Sequence, residues 1–233
     1  MSLLIEYYLR FLNLIAPKTC VICGNRLTIT ERTLCCICNL HLPRTNFQKN
    51  PYDNNMAKLF WARIPVERVA AFFYYEPHSE VCRIVHSFKY MNNPENAEYM
   101  GRMVAAEYQL SNFFDSIDGI VPIPLSWKRQ LKRGYNQSYE IARGVSDITG
   151  IPIINKVVKR RTFKKSQTKT HFWERFENVE DVFQLINGDA INGKHILLID
   201  DVITTGATIM SCAKEMKKCG DIKFSILSIG FTR

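Results

Sequence analysis

No stretch of this 233-residue chain holds the roughly 20 consecutive apolar residues that a bilayer span needs. The nearest approach, residues 3–16, is short and broken by Glu6 and Arg10. It also lacks the marks of a secretory leader: no basic residues precede the apolar run and no small-residue cleavage site follows it. It reads instead as an amphipathic helix over 2–16 that stops ahead of Pro17, and a cytoplasmic location is expected. Internal repeats and low-complexity tracts are missing too, which excludes repeat architectures and disorder. Acidic residues are the minority charge. The 22 Asp and Glu against 31 Lys and Arg leave a net +9, which suits polyanions such as nucleic acid, phosphorylated metabolites or an anionic membrane face, and equally suits plain solubility.

What is present is an ordinary globular composition, 46% hydrophobic and 23% charged, in a chain long enough for one main domain and a small appendage. There are eight cysteines, and without a secretory leader metal binding is the better reading than disulfides. Four of them form two pairs, Cys20-Val-Ile-Cys23 and Cys35-Cys-Ile-Cys38. Four thiolates so spaced suit a tetrahedral structural Zn²⁺, which folds a segment too small to hold a core of its own. A closed four-thiolate site leaves no open position for catalysis. Cys36 stays open between a spare thiol and a competing ligand, and His41 between a substitute ligand and plain polar surface. Cys82, Cys212 and Cys219 fall in expected helices and read as small buried hydrophobes.

Beyond the cysteines the chain alternates. Strands are expected over 69–75, 119–123, 194–199 and 223–229, with a further one starting at Val157 and Val158. Helices are expected over 81–89, 96–110, 138–148 and 208–219. Residues 46–66 give no clear pattern. Alternation of this kind predicts an α/β fold with a mainly parallel sheet and flanking crossover helices. The expected division is an N-terminal helix and four-cysteine zinc module over 1–45, then the α/β domain over 46–233.

The most informative segment is His195-Ile-Leu-Leu-Ile-Asp-Asp-Val-Ile-Thr-Thr-Gly-Ala-Thr208. An apolar strand delivers Asp200 and Asp201 toward its C-terminal end, and a small hydroxyl-rich loop then opens a helix. Backbone N–H groups at such a helix start form an anion site, and Gly206 lets backbone approach a ligand closely. Two carboxylates beside a phosphate site can accept from sugar hydroxyls. Open α/β sheets bind ligands at this end of their strands.

This segment resembles the PRPP-binding motif of type I phosphoribosyltransferases. The resemblance implies that Thr204, Thr205, Gly206, Ala207 and Thr208 hold the 5-phosphate and that Asp200 and Asp201 hold the ribose hydroxyls. Further segments narrow it: Phe88-Lys89-Tyr90, Pro122-Ile-Pro124, Arg133-Gly-Tyr-Asn-Gln137 and Arg161-Thr-Phe-Lys-Lys-Ser-Gln-Thr168, followed by Glu174-Arg175 and Asn178-Val179. With the paired cysteines in front, and in this order, the chain resembles the ComF/GntX family, whose competence protein is implicated in DNA uptake during natural transformation. The Arg161 segment also resembles the mobile loop of amidophosphoribosyltransferases, but their N-terminal glutaminase domain has no counterpart here.

The resemblance implies transfer of phosphoribosyl from PRPP, carried with Mg²⁺, to an unknown acceptor. Loss of pyrophosphate calls for cations on the leaving group, and Lys89, Arg133, Asn136 and Gln137 are the candidates, with Lys89 and Arg133 joining the two acids as catalytic residues. Alternatives stand beside it: a non-catalytic binder of ribose phosphate and single-stranded DNA that works with a DNA-uptake helicase, or a PRPP-sensing regulator. Residues 156–175, rich in Lys and Arg with Phe163, Phe172 and Trp173 interleaved, serve either as a catalytic lid or as a strand-binding surface.

Overall fold

The computed structural model describes residues 17–91, 93–161 and 182–232. The expected helix over 2–16 and the part of the basic stretch over 162–175 lie outside them. In chain order the strands are β1 (Val66–Tyr74), β2 (Gly119–Pro122), β3 (Val158–Arg160), β4 (Phe183–Leu185), β5 (His195–Ile203) and β6 (Lys223–Phe231). The helices are α1 (Cys36–Leu40), α2 (Cys82–Tyr90), α3 (Pro94–Tyr108), α4 (Trp127–Arg133), α5 (Gln137–Thr149) and α6 (Ala207–Met216).

β1, β6, β5 and β2 lie side by side in that order, and every neighbouring pair is parallel. A parallel bridge from Ile120 to Ile153 extends the sheet past β2. β5 lies inside the sheet, and Ile196 to Ile199 are fully buried. That is why the strand reads as a continuous apolar run and not as an alternation. The α/β fold with a mainly parallel sheet and flanking helices is therefore as expected. β3 and β4 form a separate antiparallel pair.

α3 and α5 pack backbone to backbone. A Cβ on Gly101 would stand 2.2 Å from the Ile141 carbonyl oxygen, and one on Gly144 would stand 2.0 Å from that of Glu98. The contact fixes α5, whose first turn belongs to the site described below. The cysteine segment joins the same core through Ile22, Leu27, Leu34 and Leu42.

Differences from the sequence reading have local causes. β5 runs on through both acids to Ile203, because its ladder with β6 continues to the Ile203–Phe231 pair. α4 was not expected: none of its residues is buried, so it has no apolar periodicity to read. Residues 46–66 form two short 3₁₀ turns, Phe47–Lys49 and Ala57–Leu59, around the buried Met56 and Phe60.

Candidate phosphoribosyl site and metal centre

β5 carries Asp200 and Asp201 side by side near its C-terminal end. Asp200 is half-buried and Asp201 is buried. The Ser138 hydroxyl donates to Asp200 Oδ1 at 3.0 Å, and the Asp201 backbone N–H donates to the same oxygen at 2.9 Å. Lys89 Nζ stands 2.9 Å from Asp201 Oδ1, with side chains only 19% and 12% exposed. Lys89 is brought there by the last turn of α2, and Ser138 by the first turn of α5.

Burial pushes the Asp200 carboxyl up from 3.8 to about 7, and the adjacent Asp201 charge adds to the effect; Ser138, the Asp201 N–H and Lys89 work against it. A carboxyl raised by folding is ionised at a cost to the fold. The cost is absent below the ordinary carboxylate range, grows as the pH climbs from about 4 to about 7, and is complete above that. Asp200→Asn is accordingly expected to melt several degrees above the wild type at pH 8. The gain should fade toward pH 4, and thermal melts at the two pH values check it.

The loop after β5 places Thr204 and Thr205 in solvent, Gly206 in the interior, and Ala207 and Thr208 half-buried at the start of α6. Gly206 has φ +72°, and a Cβ there would stand 2.8 Å from the Phe60 ring. Glycine is thus required twice over, by backbone conformation and by the approach of Phe60. The loop backbone is held close against Phe60 and Leu59.

Lys89, Tyr90, Arg129, Lys132 and Arg133 line a cavity of about 380 Å³. Arg133 donates to Gln137 Oε1 at 2.9 Å and lies over the Tyr90 ring, 5.7 Å from its centroid. α4 ends at Gly134, whose φ of +76° turns the chain toward α5. Tyr135 then donates its hydroxyl to the Phe88 carbonyl, tying the Arg133–Gln137 segment to α2. Asn136 caps α5, accepting from the Ser138 N–H at 3.1 Å and donating to the Ile123 carbonyl at 3.0 Å. Gln137 is fully enclosed, with its amide engaged by Arg133 and by the Tyr135 carbonyl. In this structure Gln137 therefore holds Arg133 while Asn136 caps the helix behind it, and Lys89 and Arg133 face the cavity.

Several site residues escaped the sequence reading. Ser138 follows the Arg133–Gln137 motif directly, which was the available signal. Arg129 and Lys132 belong to the unexpected helix. Arg160, by contrast, belongs to the basic stretch over 156–175 already read as a lid or strand-binding surface; burial and the like charge of Arg129 pull it below its usual basicity, countered by Asp200.

The four paired cysteines converge. The sulfurs of Cys20, Cys23, Cys35 and Cys38 all lie within 4.8 Å of one another. Cys23 and Cys35 sulfurs are 3.8 Å apart, and Zn–S bonds of about 2.3 Å in a tetrahedron give a sulfur–sulfur edge of about 3.8 Å. The set is therefore positioned to bind a metal. Burial disfavours the Cys20 thiolate, but backbone N–H groups of Cys23, Cys35 and Ile22 outweigh it and bring the thiol down to about 7. Cys36 is exposed and outside the cluster, and His41 bonds the Ile37 carbonyl at 2.8 Å instead of facing the sulfurs. Cys212 is buried, and Cys82 and Cys219 are half-buried.

No family model matches the chain. It is 34% identical to competence protein F of Haemophilus influenzae over 104 residues, 44% of this chain and 45% of that protein, so the match spans less than half of that relative. It is 27% identical to DNA utilization protein YhgH of Escherichia coli K12 over 210 residues, 86% of this chain and 85% of that protein. Among solved structures, it is similar to the glutamine phosphoribosylpyrophosphate amidotransferase from B. subtilis at 16% identity and a TM-score of 0.41, covering 60% of this chain and 30% of that one. The chain is thus a relative of proteins named for competence and DNA utilization, with phosphoribosyltransferases among its structural neighbours. Among the described residues no helix is long and apolar enough to cross a membrane.

Proposed function

We propose that this chain binds PRPP with Mg²⁺ at the end of β5 and transfers its phosphoribosyl group to an acceptor. The observation that carries the reading is the acid pair of β5, held by Ser138 and Lys89, running directly into the Thr204–Thr208 loop at the start of α6. The 5-phosphate accepts from the loop N–H groups and threonine hydroxyls. Asp200 and Asp201 accept from the ribose hydroxyls. The bond between ribose C1 and the pyrophosphate oxygen breaks, the electron pair leaves with pyrophosphate, and the acceptor forms the new bond to C1. Positive charge grows on the sugar beside the two carboxylates, while Lys89, Arg129, Lys132 and Arg133 receive the pyrophosphate. Mg²⁺ bound to the pyrophosphate supplies further charge neutralisation there. The four-cysteine knuckle, within a module over 1–45, holds a structural Zn²⁺. Reduced thiolates and a PRPP ligand both fit the cytoplasm. Titration calorimetry of PRPP with Mg²⁺ into the zinc-loaded chain tests the reading: saturable one-to-one binding supports it, and the absence of heat over the full titration refutes it.

A second reading is favoured by the surface of α4. Trp127 and Tyr90 are 53% and 65% exposed; Tyr90 lines the cavity with Arg129, Lys132 and Arg133, and Trp127 opens the helix that carries these cations. Cations interleaved with exposed aromatic rings suit a single strand, through phosphate contacts and base stacking, and the relatives' names concern competence and DNA utilization. On this reading a labelled oligonucleotide binds in a salt-sensitive way, and Trp127→Ala with Lys132→Ala weakens it at least tenfold in fluorescence anisotropy. Unchanged affinity in that double variant would remove α4 from the strand-binding surface.

A further inference from the structure

A buried relay of hydrogen bonds joins the cysteine knuckle to the helix that carries Lys89. Val21, between Cys20 and Cys23, donates its N–H to the Thr33 carbonyl at 3.1 Å. The Thr33 hydroxyl donates to Asn96 Oδ1 at 3.0 Å. Asn96 Nδ2 donates to Ser87 Oγ at 3.0 Å, and the Ser87 hydroxyl donates to the Ile84 carbonyl at 2.7 Å. Thr33, Asn96 and Ser87 are 2%, 9% and 1% exposed, so water does not replace a missing partner and each link depends on the next. A second tie runs outside the relay: Arg83 donates to the carbonyl of Ile22, again between the first two cysteines.

Both ties end on α2. Ile84 lies five residues before Lys89, about 7.5 Å along a helix that rises about 1.5 Å per residue. The other end of α2 is held by Tyr135 on the Phe88 carbonyl. Lys89 then projects from a helix fixed at both ends and reaches Asp201 at 2.9 Å.

We propose that the cysteine knuckle positions the phosphoribosyl site: through Thr33, Asn96 and Ser87 it fixes α2 so that Lys89 stands on Asp201. The inference rests on the function proposed above and adds a task for the metal module within it. Four thiolates closed on a metal make the Cys20–Cys23 turn rigid. The Val21 N–H and the Ile22 carbonyl are therefore fixed points, and the relay passes their position to α2. Thr33, Asn96 and Ser87 are positioning residues and contribute nothing to ligand contact themselves.

Thr33→Val tests this, since it removes one hydroxyl with little change of shape. Three results are expected together. The chain keeps one metal ion. Amide hydrogen exchange speeds up along Cys82–Tyr90. Affinity for ribose 5-phosphate falls about tenfold. In a Lys89→Met background the same substitution adds no further loss, because the side chain it positions is gone. Unchanged exchange along α2 with full affinity overturns the proposal. So does a loss of equal size in the Lys89→Met background, which would mark Thr33 as ordinary packing. Ser87→Ala cuts the relay one link later and serves where Thr33→Val does not fold. A wild type that ignores ribose 5-phosphate, while Thr33→Val still loosens α2, refutes the proposed function and leaves the relay standing.

Discussion

Replacing Asp200 and Asp201 together by alanine is expected to reduce ribose 5-phosphate binding by at least 100-fold while the chain stays folded. Each carboxylate accepting from a sugar hydroxyl contributes about 1.5–3 kcal/mol, and a tenfold change in affinity is about 1.4 kcal/mol. The fold should survive because Asp200 works against it. Burial and the neighbouring Asp201 charge already raise Asp200 to about 7, so removing its carboxyl relieves that cost. Lys89 loses its partner, but its long stem lets the ammonium turn toward the cavity it already lines. Calorimetry with ribose 5-phosphate, beside a thermal melt, separates the two effects. A variant that binds as tightly as the wild type would show that the sugar does not rest on β5.

The second large effect is at the cysteines. Cys35→Ser is expected to take the bound metal from one ion per chain to near none and to lower the melting temperature by more than 10 °C. Cys35 has two tasks. It stands 3.8 Å from Cys23 in the four-sulfur cluster, and it caps α1 by accepting from the Cys38 N–H at 3.4 Å. Structural Zn²⁺ contributes on the order of 10 kcal/mol to small knuckles, far above the typical effect of one point mutation. Cys36→Ser, one residue along, is the control. Cys36 is exposed and outside the cluster, so metal content and melting should not move. Elemental analysis with a melting curve on both variants decides it. Full metal content in Cys35→Ser would remove Cys35 from the ligand set.

Both predictions concern parts of the molecule that were legible in the sequence, and the reason is local. The acids and the Thr204–Thr208 loop are consecutive, and strand, turn and helix start follow from short-range pattern alone. The cysteine pairs are legible for the same reason: their spacing carries the geometry. Lys89 and Arg133 were named as residues, but nothing in the sequence shows that Lys89 meets Asp201, 112 positions later, or that Arg133 is held by Gln137. Asn136 and Gln137 were expected at the ligand. Their residue types suit such contact, and in this structure their amides bond Ser138, Ile123, Arg133 and Tyr135.

Two of the unread contacts share one property, which is distance along the chain. Phe60 meets Gly206 across the fold, and the link from Thr33 to Asn96 spans 63 positions. Neither leaves a period or a spacing to detect. α4 was hidden for the opposite reason. It buries nothing, so its apolar residues follow no stripe, and its Trp127 and Leu131 remain 53% and 70% exposed beside a row of cations. The relay through Asn96 also explains a polar residue in the buried face of α3, where an asparagine without partners would cost stability.

The central claim is that the end of β5 is a ribose 5-phosphate site, and a crystal structure of the chain with ribose 5-phosphate bound tests it most directly. The account predicts the phosphate within hydrogen-bond reach of the Thr204–Thr208 backbone N–H groups, and ribose hydroxyls on Asp200 and Asp201. Ribose 5-phosphate bound anywhere else, or those two carboxylates left without a sugar in a fully occupied complex, would contradict it.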